Sequence, residues 1–85
     1  MEDRSRSDRV RGLGVAVRRR RERLGLLQTQ LADLAGCSQR FVHTVENGKP
    51  SLRLDKLLDV LEVLGLDLSV VPGRGRVRMP EDEHA

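Results

Sequence analysis

Apolar residues recur at helical spacing in four stretches of this chain and at strand spacing in one. Between Arg9 and Leu24, the residues Val10, Leu13, Val17 and Leu24 stand three, four and seven apart, the stripe of an amphipathic helix. Gly12 and Gly14 fall in its first turns, each costing about 1 kcal/mol relative to alanine, so the spacing predicts a helix whose ordered part starts late. Gly25 ends it. From Gln28 to Ala35, Leu31, Leu34 and Ala35 share one face, a short second helix, and Gly36 supplies the backbone freedom for a sharp turn. Ser38 is a good N-cap for a third helix, Gln39 to Val45, with Val42 and Val45 inward and Asn47-Gly48 as its stop. After the loop Lys49-Pro50-Ser51, the residues Leu54, Leu57, Leu58, Leu61 and Leu64 form a fourth helical stripe that Gly65 closes. Leu66, Leu68 and Val70 then alternate with Asp67, Ser69 and Val71, a strand pattern ended by Pro72-Gly73.

The two ends carry no periodicity. Residues 1–8 read as a flexible basic arm, 9–71 as the folded domain with its C-terminal strand, and 72–85 as a disordered tail. Arg4, Arg6, Arg9 and Arg11 can either reach along a polyanion or serve to keep the chain soluble.

Length changes this picture in one respect. Eighty-five residues with one Phe and no Trp or Tyr leave a small, aliphatic core, which favours a homodimer. A single cysteine, Cys37, cannot form an internal disulfide, and its position in the turn suits a core thiol. With no apolar stretch near the ~20 residues that span a bilayer, and no apolar region behind the N-terminal arginines, the expected location is cytoplasmic and not membrane-bound.

Charge is unevenly distributed. From Arg4 to Arg53 there are 12 basic residues against 4 acidic ones, whereas the stretch from Leu54 to Val71 is net acidic. Fourteen of the 16 basic residues are Arg, whose planar fork matches phosphate and guanine edges, although such a count also follows from genomic composition alone. The run Arg18-Arg19-Arg20-Arg21 scatters around a helix axis, so only one or two of the four can face a common partner. No Ser/His/acid set, phosphate loop or metal-ligand cluster is present in a chain with one Cys and two His. An enzyme, a cofactor and a metal are therefore not expected.

Two short helices joined by a tight glycine turn form a helix-turn-helix, in which the second helix enters the DNA major groove. Leu31, Ala32, Ala35, Gly36, Cys37, Val42 and Val45 fall where that unit needs apolar or small residues. The segments Gly25-Leu26-Leu27-Gln28, Leu31 to Ser38 and Val45 to Pro50 make the chain resemble the DNA-binding domain of the phage-repressor and Cro class, the XRE family, over about Leu13 to Leu64. Within that class, the run from Arg40-Phe41-Val42 through Glu46-Asn47-Gly48-Lys49-Pro50, then Arg53 to Leu58 and Leu64-Gly65-Leu66, is most similar to HipB-type antitoxins. The resemblance implies a mainly α, four-helix, lambda-repressor-like domain with a short strand pairing across a dimer. It implies a repressor of a pseudo-palindromic operator, associated with the nucleoid when bound, that also holds a HipA-like kinase-fold toxin. A stand-alone phage-type or restriction-modification control regulator, and a pure protein-interaction module, remain as alternatives.

On the same resemblance, Gln39, Arg40 and Thr44 would read bases, and Gln28, His43, Asn47, Gly48 and Lys49 would lie against phosphates, with His43 otherwise simply solvated. Arg21 and Glu46 match a pair that bridges the first helix to the end of the third. Leu27 stands where the family usually places a Thr cap, so either Leu27 is stapled to the core or the second helix starts differently. The strand residues Leu66, Leu68 and Val70 need a backbone partner that nothing else in the chain offers, which points to the same segment of a second subunit.

Overall fold

The computed structural model describes residues 2–78 and contains four helices, α1 (Glu2–Arg23), α2 (Gln28–Ala35), α3 (Gln39–Glu46) and α4 (Leu54–Leu64). α2 packs on both α3 and α4, and α1 lies across α3 and α4. Val17, Leu31, Ala32, Val42, Val45, Leu57, Val60, Leu61 and Leu64 make the core, one contribution or more from each helix. Leu13, Leu26, Cys37, Phe41 and Leu66 cover its edges.

The internal helices follow the sequence pattern closely. Ser38 caps α3 by accepting the Phe41 N–H at 3.0 Å. Gly36 closes α2 in the left-handed conformation, φ 72°, which a β-carbon would strain. α2 begins at Gln28 despite Leu27 at its cap: the Leu27 side chain is 64% exposed, so no staple forms, and the Leu27 N–H instead donates to Gln30 Oε1 at 2.8 Å. The apolar stripe of α4 is wider than its buried face, because Leu54 and Leu58 remain exposed while Val60 is buried.

Three expectations are corrected. α1 does not start late; its backbone is helical from Glu2, so the stretch read as an arm continues the helix, with no Gly or Pro before Gly12 to interrupt it. Gly14 is there for close approach: a β-carbon on it would sit 2.5 Å from the Val45 carbonyl oxygen and 2.8 Å from that of Glu46. Leu24, counted with the first stripe, falls just past α1 and is exposed.

Leu66–Val71, read as a strand, pairs with nothing, and no strand occurs among the described residues, since a ladder needs a second segment that this single chain does not offer here. The tail is in part ordered. After bends at Pro72–Gly75 the chain turns back, and Arg76–Arg78 line a cleft of about 320 Å³ together with Leu13, Ala16, Leu61 and Leu66, half-burying Val77. The rest of that tail, residues 79–85, lies outside the described residues.

Candidate nucleic-acid interface

α3 is amphipathic, with Val42 and Val45 fully buried and Gln39, Arg40 and His43 facing outward. Thr44 is half-buried on the outer side. The side chains of Gln39, Arg40 and Lys49 make no hydrogen bond or ion pair among the described residues, which leaves their side-chain donors available to a ligand. A shallow cleft of about 330 Å³ runs along the front of α3 to the start of α4, and Arg40, Thr44, Lys49, Ser51, Arg53 and Lys56 line it. Four cations with the hydroxyl residues Ser38, Thr44 and Ser51 in one cleft suit an anionic backbone.

Ser51, Arg53 and Lys56 were not singled out from the sequence. The signal was present as hydroxyl and basic residues flanking the start of the fourth helix, but the apolar periodicity that located the helix says nothing about its polar side. Arg53 already has a partner in Asp55, Nη2 to Oδ2 at 2.6 Å, in an exposed pair that water and salt can open.

His43 and Asn47 close the other end of the helix. Asn47 Nδ2 donates to the His43 carbonyl oxygen and also lies 2.9 Å from His43 Nε2, so the ring accepts there when its proton is on Nδ1. Gly48 is buried in the following turn, and a β-carbon on it would come within 3.2 Å of the Arg11 Cα. The N-terminal half of α1 therefore passes directly over the turn that holds Asn47 and Lys49.

Behind α3 stands the bridge expected from the resemblance. Arg21 Nε and Nη2 donate to Glu46 Oε2 and Oε1 at 2.6 and 3.0 Å, while Arg21 Nη1 donates to the Leu26 carbonyl at 2.8 Å. The side chains are 11% and 4% exposed, so this is a bidentate pair under the surface. Burial pushes the Glu46 carboxyl up, yet hydrogen bonds from Arg21 and Gln28 and the charges of Arg21 and Arg18 outweigh it, leaving the carboxyl below its ordinary range. The bond to Glu46 in turn raises Arg21 against the opposing effect of burial.

Gln28 is placed differently from the expectation. Its Nε2 donates to Glu46 Oε1 at 3.1 Å and the side chain is half-buried, so its amide serves the bridge and is not free at the surface. A carboxylate has more lone pairs than one guanidinium fills, and Gln28, opening α2 beside the end of α3, takes one of them. The arginine run also resolves: Arg20 Nε caps α4 by donating to the Leu64 carbonyl at 2.8 Å, Arg21 forms the bridge, and Arg18 and Arg19 remain exposed. Cys37 is half-buried beside the core, and burial pushes its thiol up, opposed by nearby Lys56.

Among the described residues no group of three metal-ligating side chains occurs, and no helix is long and apolar enough to cross a membrane. Residues 12–72 match the family model of the helix-turn-helix domain. Over 65 residues the chain is 38% identical to an uncharacterized HTH-type transcriptional regulator of Sinorhizobium fredii, an alignment covering 75% of this chain and 86% of that protein. Over 54 residues it is 41% identical to an uncharacterized HTH-type transcriptional regulator of Haemophilus influenzae, covering 64% of this chain and 55% of the relative, about half of the latter's length. With the glycine-hinged α2 and α3 braced from behind by Arg21 and Glu46, and most of its length aligned in this way, the chain belongs to the helix-turn-helix domain family and is XRE-like within it.

Proposed function

We propose that this protein is a sequence-specific DNA-binding transcriptional regulator that represses from a pseudo-palindromic operator as a homodimer. The observation that carries this reading is the outward face of α3: Gln39 and Arg40, whose side chains have no partner among the described residues, on a helix whose far end is pinned by the Arg21–Glu46 bridge. A helix held this way can enter the major groove, where Gln pairs with adenine, Arg with guanine, and Thr44 meets a hydroxyl-bonding or methyl edge. Asn47 and Lys49, with the cleft residues Ser51, Arg53 and Lys56, then lie against phosphates and set the register, whereas Gly48, buried under α1 with its N–H bonded to the Val45 carbonyl, holds the turn and does not meet phosphate itself. His43 beside them is solvated or touches phosphate.

The dimer is supported by exposed apolar surface. Leu54 and Leu58 on α4 and Leu68, Val70 and Val71 beyond it are uncovered, with Val70 96% exposed. Pairing of Leu66–Val71 with its copy in a second subunit would satisfy that segment's backbone and cover Leu66, Leu68 and Val70. Two half-sites would then be centred about one helical turn apart, ~34 Å, or a multiple of it.

The similarity of Arg40 to Pro50, of Arg53 to Leu58 and of Leu64-Gly65-Leu66 to HipB-type antitoxins supports a finer role, the antitoxin of a type II operon holding a kinase-fold toxin. The names of the relatives, HTH-type transcriptional regulators, fit this role and equally the second reading, a regulator without a toxin. Co-expression with the neighbouring gene and purification of the tagged protein separates the two: a co-purifying kinase-fold partner supports the antitoxin, and a protein that binds operator DNA alone supports the lone regulator.

A further inference from the structure

α1 crosses the end of α3 through Gly14 and rests on Gly48 through the backbone of Arg11. That crossing orients the rest of the helix. Residues seven apart on an α-helix differ by only about 20° around the axis and stand about 10.5 Å apart along it. Arg11 and Arg18 are such a pair, both exposed. Arg11 starts from the backbone that touches the phosphate-facing turn at Gly48, and the charge of Arg18 is felt at Glu46, at the end of α3. The two arginines thus stand on one line of α1, beside the far end of the reading helix and not at its tip. Arg18 also pairs with Glu22 at 3.4 Å, in an exposed i,i+4 contact that phosphate competes for easily.

We propose that Arg11 and Arg18 form a second phosphate-binding strip on α1, separate from the cleft at the front of α3, which grips the DNA backbone beside the segment that α3 reads. This rests on the DNA-binding reading above and extends it to a part of the chain that α2 and α3 do not include. Arginine suits the task because its fork bonds two phosphate oxygens at once and it stays charged at any working pH. Arg19 and Arg23 carry the same charge on the same exposed helix but are rotated about 100° and 140° from Arg18, away from the strip.

Their position gives the test its control. Binding of the full chain to a mixed-sequence duplex of ~30 base pairs is measured by fluorescence anisotropy across a salt series, which needs no knowledge of the operator. Neutralising a phosphate contact makes the slope of log K against log salt shallower by about 0.9. The double variant Arg11→Gln/Arg18→Gln should lose about 1.8 from the slope, Arg11→Lys/Arg18→Lys should retain it, and Arg19→Gln/Arg23→Gln should lose little. Equal losses in the two glutamine pairs, or no loss in the first, overturn the strip and leave the regulator reading intact. A wild-type chain without salt-sensitive binding removes that reading itself.

Discussion

Replacing Glu46 tests whether the recognition helix is held by electrostatics under the surface. Glu46→Ala would strand the Arg21 guanidinium, whose side chain is 11% exposed, with only the Leu26 carbonyl as partner, and would free the Gln28 amide. Breaking a buried pair by removing one member costs about 3–5 kcal/mol. A domain of this length holds about 4–13 kcal/mol in all at the usual stability per residue, so the variant should sit near the edge of unfolding. Glu46→Gln keeps an acceptor and nearly the same shape, and should lose about 1–3 kcal/mol as a charge-assisted bond becomes a neutral one. The pH dependence has a definite sign. The carboxyl is depressed in the folded chain, so its contribution is complete above the unfolded value, near 4.5, and is lost as pH falls through the lower folded value. Urea unfolding followed by circular dichroism should therefore show wild type ahead of Glu46→Gln at about pH 7, with the gap closing well below pH 4.5. Equal stability at neutral pH, or a gap that persists unchanged in acid, would refute the bridge as described.

Gly14→Ala should destabilise by about 1–3 kcal/mol in thermal unfolding, because the added carbon meets the Val45 and Glu46 carbonyls; the opposite sign, usual for glycine to alanine in a helix, would mean that α1 crosses elsewhere. Arg40→Ala and Gln39→Ala should each cost about 1–3 kcal/mol on the cognate operator and relax one base position, while Lys49→Ala should weaken all duplexes alike. Should Arg40→Ala prove neutral on the cognate site, the register assigned to α3 is wrong. Leu68→Pro removes a backbone donor from the segment proposed to pair between subunits, so light scattering should show monomer and DNA affinity should fall; an unchanged dimer excludes that pairing.

What could be read in advance was whatever leaves a local trace. Leu31, Val42, Val45, Leu57 and Leu64 fall at helical spacing and are buried, and Gly36, Ser38 and Gly65 punctuate the helices where backbone geometry requires. Arg21 and Glu46 were legible only through family resemblance, being 25 residues apart in sequence. Position in space leaves no such trace. Nothing periodic marks Glu2–Asp8 as helix, and Gly14 reads as a defect until the α3 carbonyls are seen beneath it. Gln28 has the chemistry of a surface contact, yet an unfilled carboxylate lone pair on Glu46 claims its amide. Val77 sits between arginines in a polar tail, and only the turn at Pro72–Gly75 brings it back beside α1. The alternation at Leu66–Val71 is real as a pattern, but a strand is a property of two segments.

Selection from a randomised duplex pool bears most directly on the claim that α3 reads DNA. Wild type and Arg40→Ala are each carried through the selection at one fixed salt concentration, and the enriched sequences are compared. The expected result is a motif with two-fold symmetry for wild type, and the same motif with one guanine position relaxed in each half for the variant. No enriched motif with wild type, or an identical motif from both proteins, would contradict it.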